Sequence, residues 1–173
     1  LMMIHAENLF KSHPGSESNA VSELTLNIKE GEFYGLLGPN GAGKTTTISM
    51  LCGILQPDRG SINIDDLSLS THLEEVKHTI GVVPQDLALY TTLNTYENLR
   101  FVGKMYDIPK AELEERINKY VALFGMETYA KRKVGTYSGG MKRKVNLIAG
   151  ILHNPRVVFL DEPTVGIDIQ SKK

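Results

Sequence analysis

The residues most suggestive of chemistry form one loop, Gly38-Pro39-Asn40-Gly41-Ala42-Gly43-Lys44-Thr45. Its spacing, G-x-x-x-x-G-K-[ST], lets a glycine-rich backbone curl until successive N–H groups point inward at phosphate oxygens. Lys44 then reaches the β- and γ-phosphates of a nucleotide, and the Thr45 hydroxyl is placed to ligate Mg²⁺. Thr46 is a donor for the α-phosphate. The flanking sequence suits that task. Phe33 to Leu37 is a short apolar run read as a strand, and Thr45 to Leu55 reads as a helix closed by Pro57 and Gly60. A helix beginning near Lys44 adds its free N–H groups and the positive end of its dipole to the same anion.

A second group is acidic. Val157-Val158-Phe159-Leu160 is apolar at every position, as in a parallel strand covered on both faces, and it runs into Asp161-Glu162. Asp161 is then a carboxylate for Mg²⁺. Glu162 is the candidate general base for water, a role worth about 10²–10⁴ in rate. Gln85 follows Ile80 to Val83 and Pro84, from where its amide oxygen can reach the metal or the attacking water. Taken alone, a Gln after Pro is a plain loop residue and an Asp-Glu pair a solvated strand end. The phosphate loop upstream is what gives them a role.

The third group is Tyr137-Ser138-Gly139-Gly140-Met141, followed by Lys142-Arg143-Lys144. Ser138 and the glycines open a helix whose first residues are cations. Cations at a helix N-terminus oppose the macrodipole. Exposed N–H groups with basic side chains make sense where an anion docks, and otherwise describe a solvated basic helix start.

These groups must be carried by an α/β framework. Leu24, Leu26 and Ile28 alternate with Thr25, Asn27 and Lys29 before a turn at Glu30-Gly31, and Ile62 and Ile64 mark another alternating strand. The middle of the chain changes period. Leu113, Ile117, Tyr120, Val121 and Phe124 share a helical face, with Pro109 suited to the first turn and Gly125 to the C-terminal cap. Asn154-Pro155 stops the helix that Ser138 opens.

Composition sets few limits. The 173 residues suit one domain or a core with an insert, and 41% hydrophobic with 23% charged residues is ordinary for a globular protein. A net charge of −1 gives no global pull toward nucleic acid or anionic lipid. The single cysteine, Cys52, excludes an intramolecular disulfide and sits in an apolar run suited to packing.

With these motifs in order, the chain resembles the ATP-binding subunits of ABC transporters over nearly its whole length. The carried motifs are the Walker A loop GPNGAGKTT, the Q-loop at Gln85, the signature YSGGM, the Walker B strand VVFLDE and the D-loop around Asp168. The resemblance implies a P-loop NTPase core with an N-terminal antiparallel β subdomain and an inserted α-helical subdomain. Residues 1–85 would form the ATP-binding core, 86–137 the helical subdomain, and 138–173 the signature helix, Walker B and D-loop. It further implies ATP and Mg²⁺ as cofactors, hydrolysis that powers transport, and a cytoplasmic place on the membrane face beside a transmembrane permease. Two copies would pair head to tail, with Ser138, Gly139, Gly140 and Met141 of one chain completing the ATP site of the other, near Asp168.

Tyr137 and Met141 in place of the commoner Leu and Gln, with TLNTYENLRFVGKMY, are similar to the subgroup serving exporters of drugs, antibiotics, polysaccharides or sodium. Two departures stand out. The family stacks adenine on an aromatic residue before the phosphate loop, whereas this chain offers Phe10 or His13. The family's switch histidine follows a further strand, and none of His5, His13, His72, His78 or His153 takes its place. The expectation is of a C-terminally truncated piece that binds ATP weakly and turns over poorly. The alternative is a soluble ABC-type ATPase acting on nucleic acid or the ribosome, for which Lys131-Arg132-Lys133 and Lys142-Arg143-Lys144 would be the contact points.

Overall fold

A computed structural model describes residues 1–15 and 18–161. The chain divides into a first compact unit, Leu1–Ile80, and a second that begins at Gly81.

In the first unit, β1 (Met2–Ser12), β2 (Asn19–Lys29), β3 (Arg59–Ile64) and β4 (Leu67–Ser68) form a four-stranded sheet in the order β2-β1-β3-β4. Every pairing is antiparallel. The register explains why. Ile4 stands between Ile28 and Ile64, and Ala6 between Leu26 and Ile62, so two apolar rows cross three strands. All six of these side chains are buried, which is how cross-strand pairs stabilise a sheet. The polar alternates Thr25, Asn27 and Lys29 are exposed, as their period-2 spacing predicts. The unit also holds α1 (Lys44–Leu51) and α2 (Leu73–Thr79).

Helix α1 ends four residues before the expected Leu55. Gly53 adopts a left-handed φ of 71°. Its N–H donates to Met50 O, and Ile54 N–H donates to Ser49 O, the paired bonds that close a helix at a glycine. Cys52 at this cap is buried, as expected of a packing residue. A second difference precedes the helix. Residues 32–39 form no strand, and Phe33 and Leu37 are fully exposed. An apolar run becomes a strand only when another strand takes its backbone bonds, and among the described residues none does.

In the second unit, β5 (Ile80–Val83) pairs with β6 (Val157–Leu160). Helices α3 (Thr95–Met105), α4 (Lys110–Leu123) and α5 (Gly139–Ile151) pack around Leu99, Ile117, Val121, Val145, Ile148 and Leu152. The predicted α4 face holds: Leu113, Ile117 and Val121 are buried, and Tyr120 and Phe124 pack beside them. Pro109 caps its start, and Gly125, at φ 63°, closes its end with the same pair of bonds seen at Gly53. Arg100 joins α3 to α4 by two bonds to Glu114, at 2.6 and 2.8 Å. Strand β6 is less covered than its composition implies. Phe159 is buried, but Val158 and Leu160 are each 41% exposed. Val158 and Leu160 alternate with Phe159, so they share the opposite face of β6, and that face is half open among the described residues.

Candidate functional site

The loop from Gly38 to Thr45 wraps around its own lysine. Lys44 Nζ donates to Gly38 O at 2.7 Å and to Pro39 O at 2.9 Å. Gly41 and Gly43 take left-handed φ values of 83° and 79°, which L side chains rarely adopt. At Gly43 a side chain is also excluded by space, since a Cβ there would overlap the Ala20 carbonyl of β2. Gly43 is the N-cap of α1 and has no side chain with which to cap it, and no acid lies in the first turn. The N-cap thus supplies no side-chain acceptor to the first turn of α1, and that turn carries no negative charge to compete with an anion.

Beside this loop the structure brings His13, whose Nε2 lies 3.3 Å from Thr46 Oγ1. Phe10, the other aromatic candidate, is engaged elsewhere, with the Arg59 guanidinium 5.8 Å over its ring. The strand end that carries His13 is fastened by Asp58. Its carboxylate accepts from Lys11 Nζ and Ser12 N, both at 2.8 Å, and from Ser12 Oγ at 3.1 Å. Those bonds, the Lys11 bond foremost, hold the Asp58 carboxyl at a pKa of about 2.

The second helix start differs in chemistry. Ser138 is the N-cap of α5, and its Oγ accepts from Met141 N at 3.3 Å. That bond uses the oxygen as an acceptor and leaves the hydroxyl hydrogen to donate outward. Tyr137, just before it, is buried. Its hydroxyl donates to Tyr129 O and receives the Thr95 hydroxyl, both at 2.8 Å. Met141 packs on the helical core.

The run Lys142-Arg143-Lys144 does not act as one basic patch. Lys144 Nζ turns to Phe124 O at 2.9 Å. Arg143 is 9% exposed and turns inward. Its Nη1 donates to Pro84 O at 2.8 Å and Gln85 O at 3.0 Å, and its Nη2 to Asp161 O at 3.1 Å. Asn146 adds a bond to Pro84 O at 3.3 Å. Sequence reading missed this. A signal was present in α5: Arg143, Asn146 and Gly150 recur at i, i+3, i+7, two positions before the apolar row Val145, Ile148, Leu152.

Arg143 thus gathers the backbones of two expected site residues. Gln85 is exposed at the end of β5, and Asp161 follows β6, with its N–H donating to Val83 O at 3.1 Å. Glu162 and Asp168 lie outside the described residues. Among the described residues no cluster of three or more His, Cys, Asp or Glu forms a metal cage.

Comparison with known proteins gives this arrangement its context. Residues 21–165 match the family model described as ABC transporter. The chain is 44% identical over 170 residues to the linearmycin resistance ATP-binding protein LnrL of Bacillus subtilis, covering 98% of this chain and 54% of that protein. It is 39% identical to the ABC transporter ATP-binding protein NatA of the same organism, covering 88% of this chain and 62% of the relative. The chain thus spans little more than half the length of these relatives. Its fold matches a dimeric post-hydrolysis state of the ATP-binding cassette MJ0796 bound to ADP and Pi, with a TM-score of 0.86 and 27% identity over 97% of this chain and 77% of that one. With a family model covering most of its residues and an α/β fold that begins in an antiparallel sheet, the chain belongs to the ABC transporter family.

Proposed function

We propose that this chain binds and hydrolyses ATP to power export through a transmembrane permease, as one of two nucleotide-binding partners. One observation carries the reading: α1 begins at a glycine that cannot cap it, in a loop whose lysine is turned onto the loop's own carbonyls. Phosphate oxygens are acceptors suited to such a loop. On binding, Lys44 exchanges those carbonyls for the β- and γ-phosphates, and the N–H groups of residues 40–45 close around them. Gly38, Pro39, Asn40, Gly41, Ala42 and Gly43 shape the loop, and Thr46 donates to the α-phosphate. His13, held beside Thr46, is the stacking residue for the base, rather than Phe10.

The residues also fit Mg²⁺. The Thr45 hydroxyl, the Asp161 carboxylate and the Gln85 amide are hard oxygen donors, few enough to leave positions for phosphate and water. When bound, Mg²⁺ neutralises charge on the phosphates. Glu162 deprotonates the attacking water, with Gln85 orienting it. Ser138 donates its free hydroxyl hydrogen, with the N–H groups of Gly139, Gly140 and Met141, to the γ-phosphate held by a second copy, beside Asp168. The dimeric cassette structure supports that pairing.

Export rests on the likeness to the linearmycin resistance ATP-binding protein. Among the described residues no helix is long and apolar enough to cross a membrane, so the permease is a separate segment or chain. An exposed patch on residues 86–137 suits its docking: Tyr90 meets Phe101 edge-on at 5.1 Å, with Met105 one turn beyond. On this reading the chain works at the cytoplasmic face of the membrane. The nucleic-acid reading loses its second basic cluster, because Arg143 and Lys144 are spent on carbonyls.

The test is Glu162→Gln in the full-length protein. ATP affinity stays, a dimer accumulates with ATP, and turnover falls by about 10²–10⁴. Normal turnover would remove Glu162 from the role of base.

A further inference from the structure

We infer that Arg143 is a positioning residue for the metal end of the site, acting through the main chain of Gln85 and Asp161. The inference rests on the proposed role of those two residues. Arg143 lies on α5, five residues after Ser138. One guanidinium spans both strand ends: Nη1 serves the Pro84 and Gln85 carbonyls after β5, and Nη2 serves the Asp161 carbonyl after β6. A planar fork with fixed donor directions sets the spacing of the groups it bridges, which a lysine ammonium cannot do. The residues whose carbonyls it holds are those whose side chains are assigned to Mg²⁺ and water.

An independent contact shows that α5 is seated on β5 in one register. A Cβ at Gly81 would overlap the Gly150 carbonyl, and a Cβ at Gly150 would lie 2.5 Å from Val83 Cγ2. Backbone therefore meets backbone at the start of β5. Further along, Asn146 reaches Pro84 O, and Arg143 completes the row at Gln85. The row Gly150, Asn146, Arg143 runs along the strand from its first residues to its last. Only the last of them crosses to β6. Close packing locates the helix, and Arg143 then fixes how far apart Gln85 and Asp161 stand. Burial raises the stake, because a guanidinium out of water is stable only while its hydrogen bonds are met.

The experiment compares full-length Arg143→Met, Arg143→Lys and Asp161→Asn. Mn²⁺ is the probe, its affinity for the protein–ADP complex read by electron paramagnetic resonance. Nucleotide affinity without metal and kcat against KM for ATP are measured alongside. Arg143→Met is expected to weaken Mn²⁺ by about tenfold or more, the range for losing a group that orients a metal ligand. Its kcat falls while KM and metal-free ADP affinity hold. Arg143→Lys, which can serve one strand end but not both, recovers part of each loss. A folded Arg143→Met with native Mn²⁺ affinity and kcat overturns the inference. If Arg143→Met does not fold, Arg143→Lys decides, and native values in that variant overturn it equally. Native Mn²⁺ affinity in Asp161→Asn would instead reject the metal-site reading itself, and the inference with it.

Discussion

Two helices in this chain begin with glycine-rich, uncharged caps, and they begin differently. Helix α1 starts at Gly43 in a left-handed conformation, with no side chain to cap it. Helix α5 starts at Ser138 in an extended conformation, and the serine bonds back to Met141 N. The first arrangement has no side-chain cap of its own. The second satisfies one of its own N–H groups and offers a hydroxyl hydrogen in exchange. On the proposed reading, a loop that surrounds phosphates gives up its own stability for open donors, whereas a helix that touches a phosphate only on a second copy stands capped when alone.

The sharpest way to break this contrast is a pair of glycine substitutions. Gly43→Ala must place a side chain at φ 79° and against the Ala20 carbonyl. It should lower unfolding free energy by about 2–4 kcal/mol, combining backbone strain with overpacking. Gly140→Ala meets open space and should stay within about 0.5 kcal/mol of the parent. Denaturant unfolding of both variants checks this, and equal losses would erase the distinction.

The next effect is on binding. Lys44→Ala removes charge-assisted bonds worth about 1.5–3 kcal/mol, so nucleotide Kd should rise roughly 10- to 150-fold in a titration. Ser138→Ala is milder. It loses a long cap bond, costing about 0.5–1 kcal/mol of stability, and leaves the Kd of the isolated chain unchanged. A Kd shift as large as that of Lys44→Ala would mean that Ser138 serves its own chain's nucleotide.

The smallest effect lies at the His13 strand end, which has no counterpart at α5. The Asp58 pKa falls from 3.8 to about 2 on folding. A depressed carboxyl stabilises the fold above its unfolded pKa and ceases to do so as pH drops through the folded one. The melting-temperature gap between the parent and Asp58→Asn should therefore be steady at neutral pH, shrink below about 3.8 and close near 2. A gap that persists at the acid end would deny the Lys11 and Ser12 bonds their role.

Much of this architecture was legible in the residues. The alternation at Leu24, Leu26 and Ile28 located β2, and the spacing of Leu113, Ile117 and Val121 located α4, because burial on one face imposes a period. Ser138 announced α5 by capping chemistry. What misled was apolar composition read without partners. Among the described residues Phe33 to Leu37 has the composition of a strand and no pairing, and β6 is half open where its run of four apolar residues implied full cover. Helix α1 stops short of Leu55 because Gly53, at a positive φ, closes it before the breakers Pro57 and Gly60 are reached.

The phosphate loop, the cap at Ser138 and the order of the motifs are local properties. Each depends on a few neighbouring residues whose backbone freedom and donors are written in their types. Arg143 is the opposite case. Read in sequence it is the middle of three cations at a helix start, set apart from Lys142 and Lys144 only by its place in the row Arg143, Asn146, Gly150. Packing of α5 on β5 turns it inward, where burial strips its water and leaves carbonyls from two distant strand ends as its partners. A hydrogen bond between residues 59 positions apart has no signature along the chain, because only the folded backbone brings its two ends within reach.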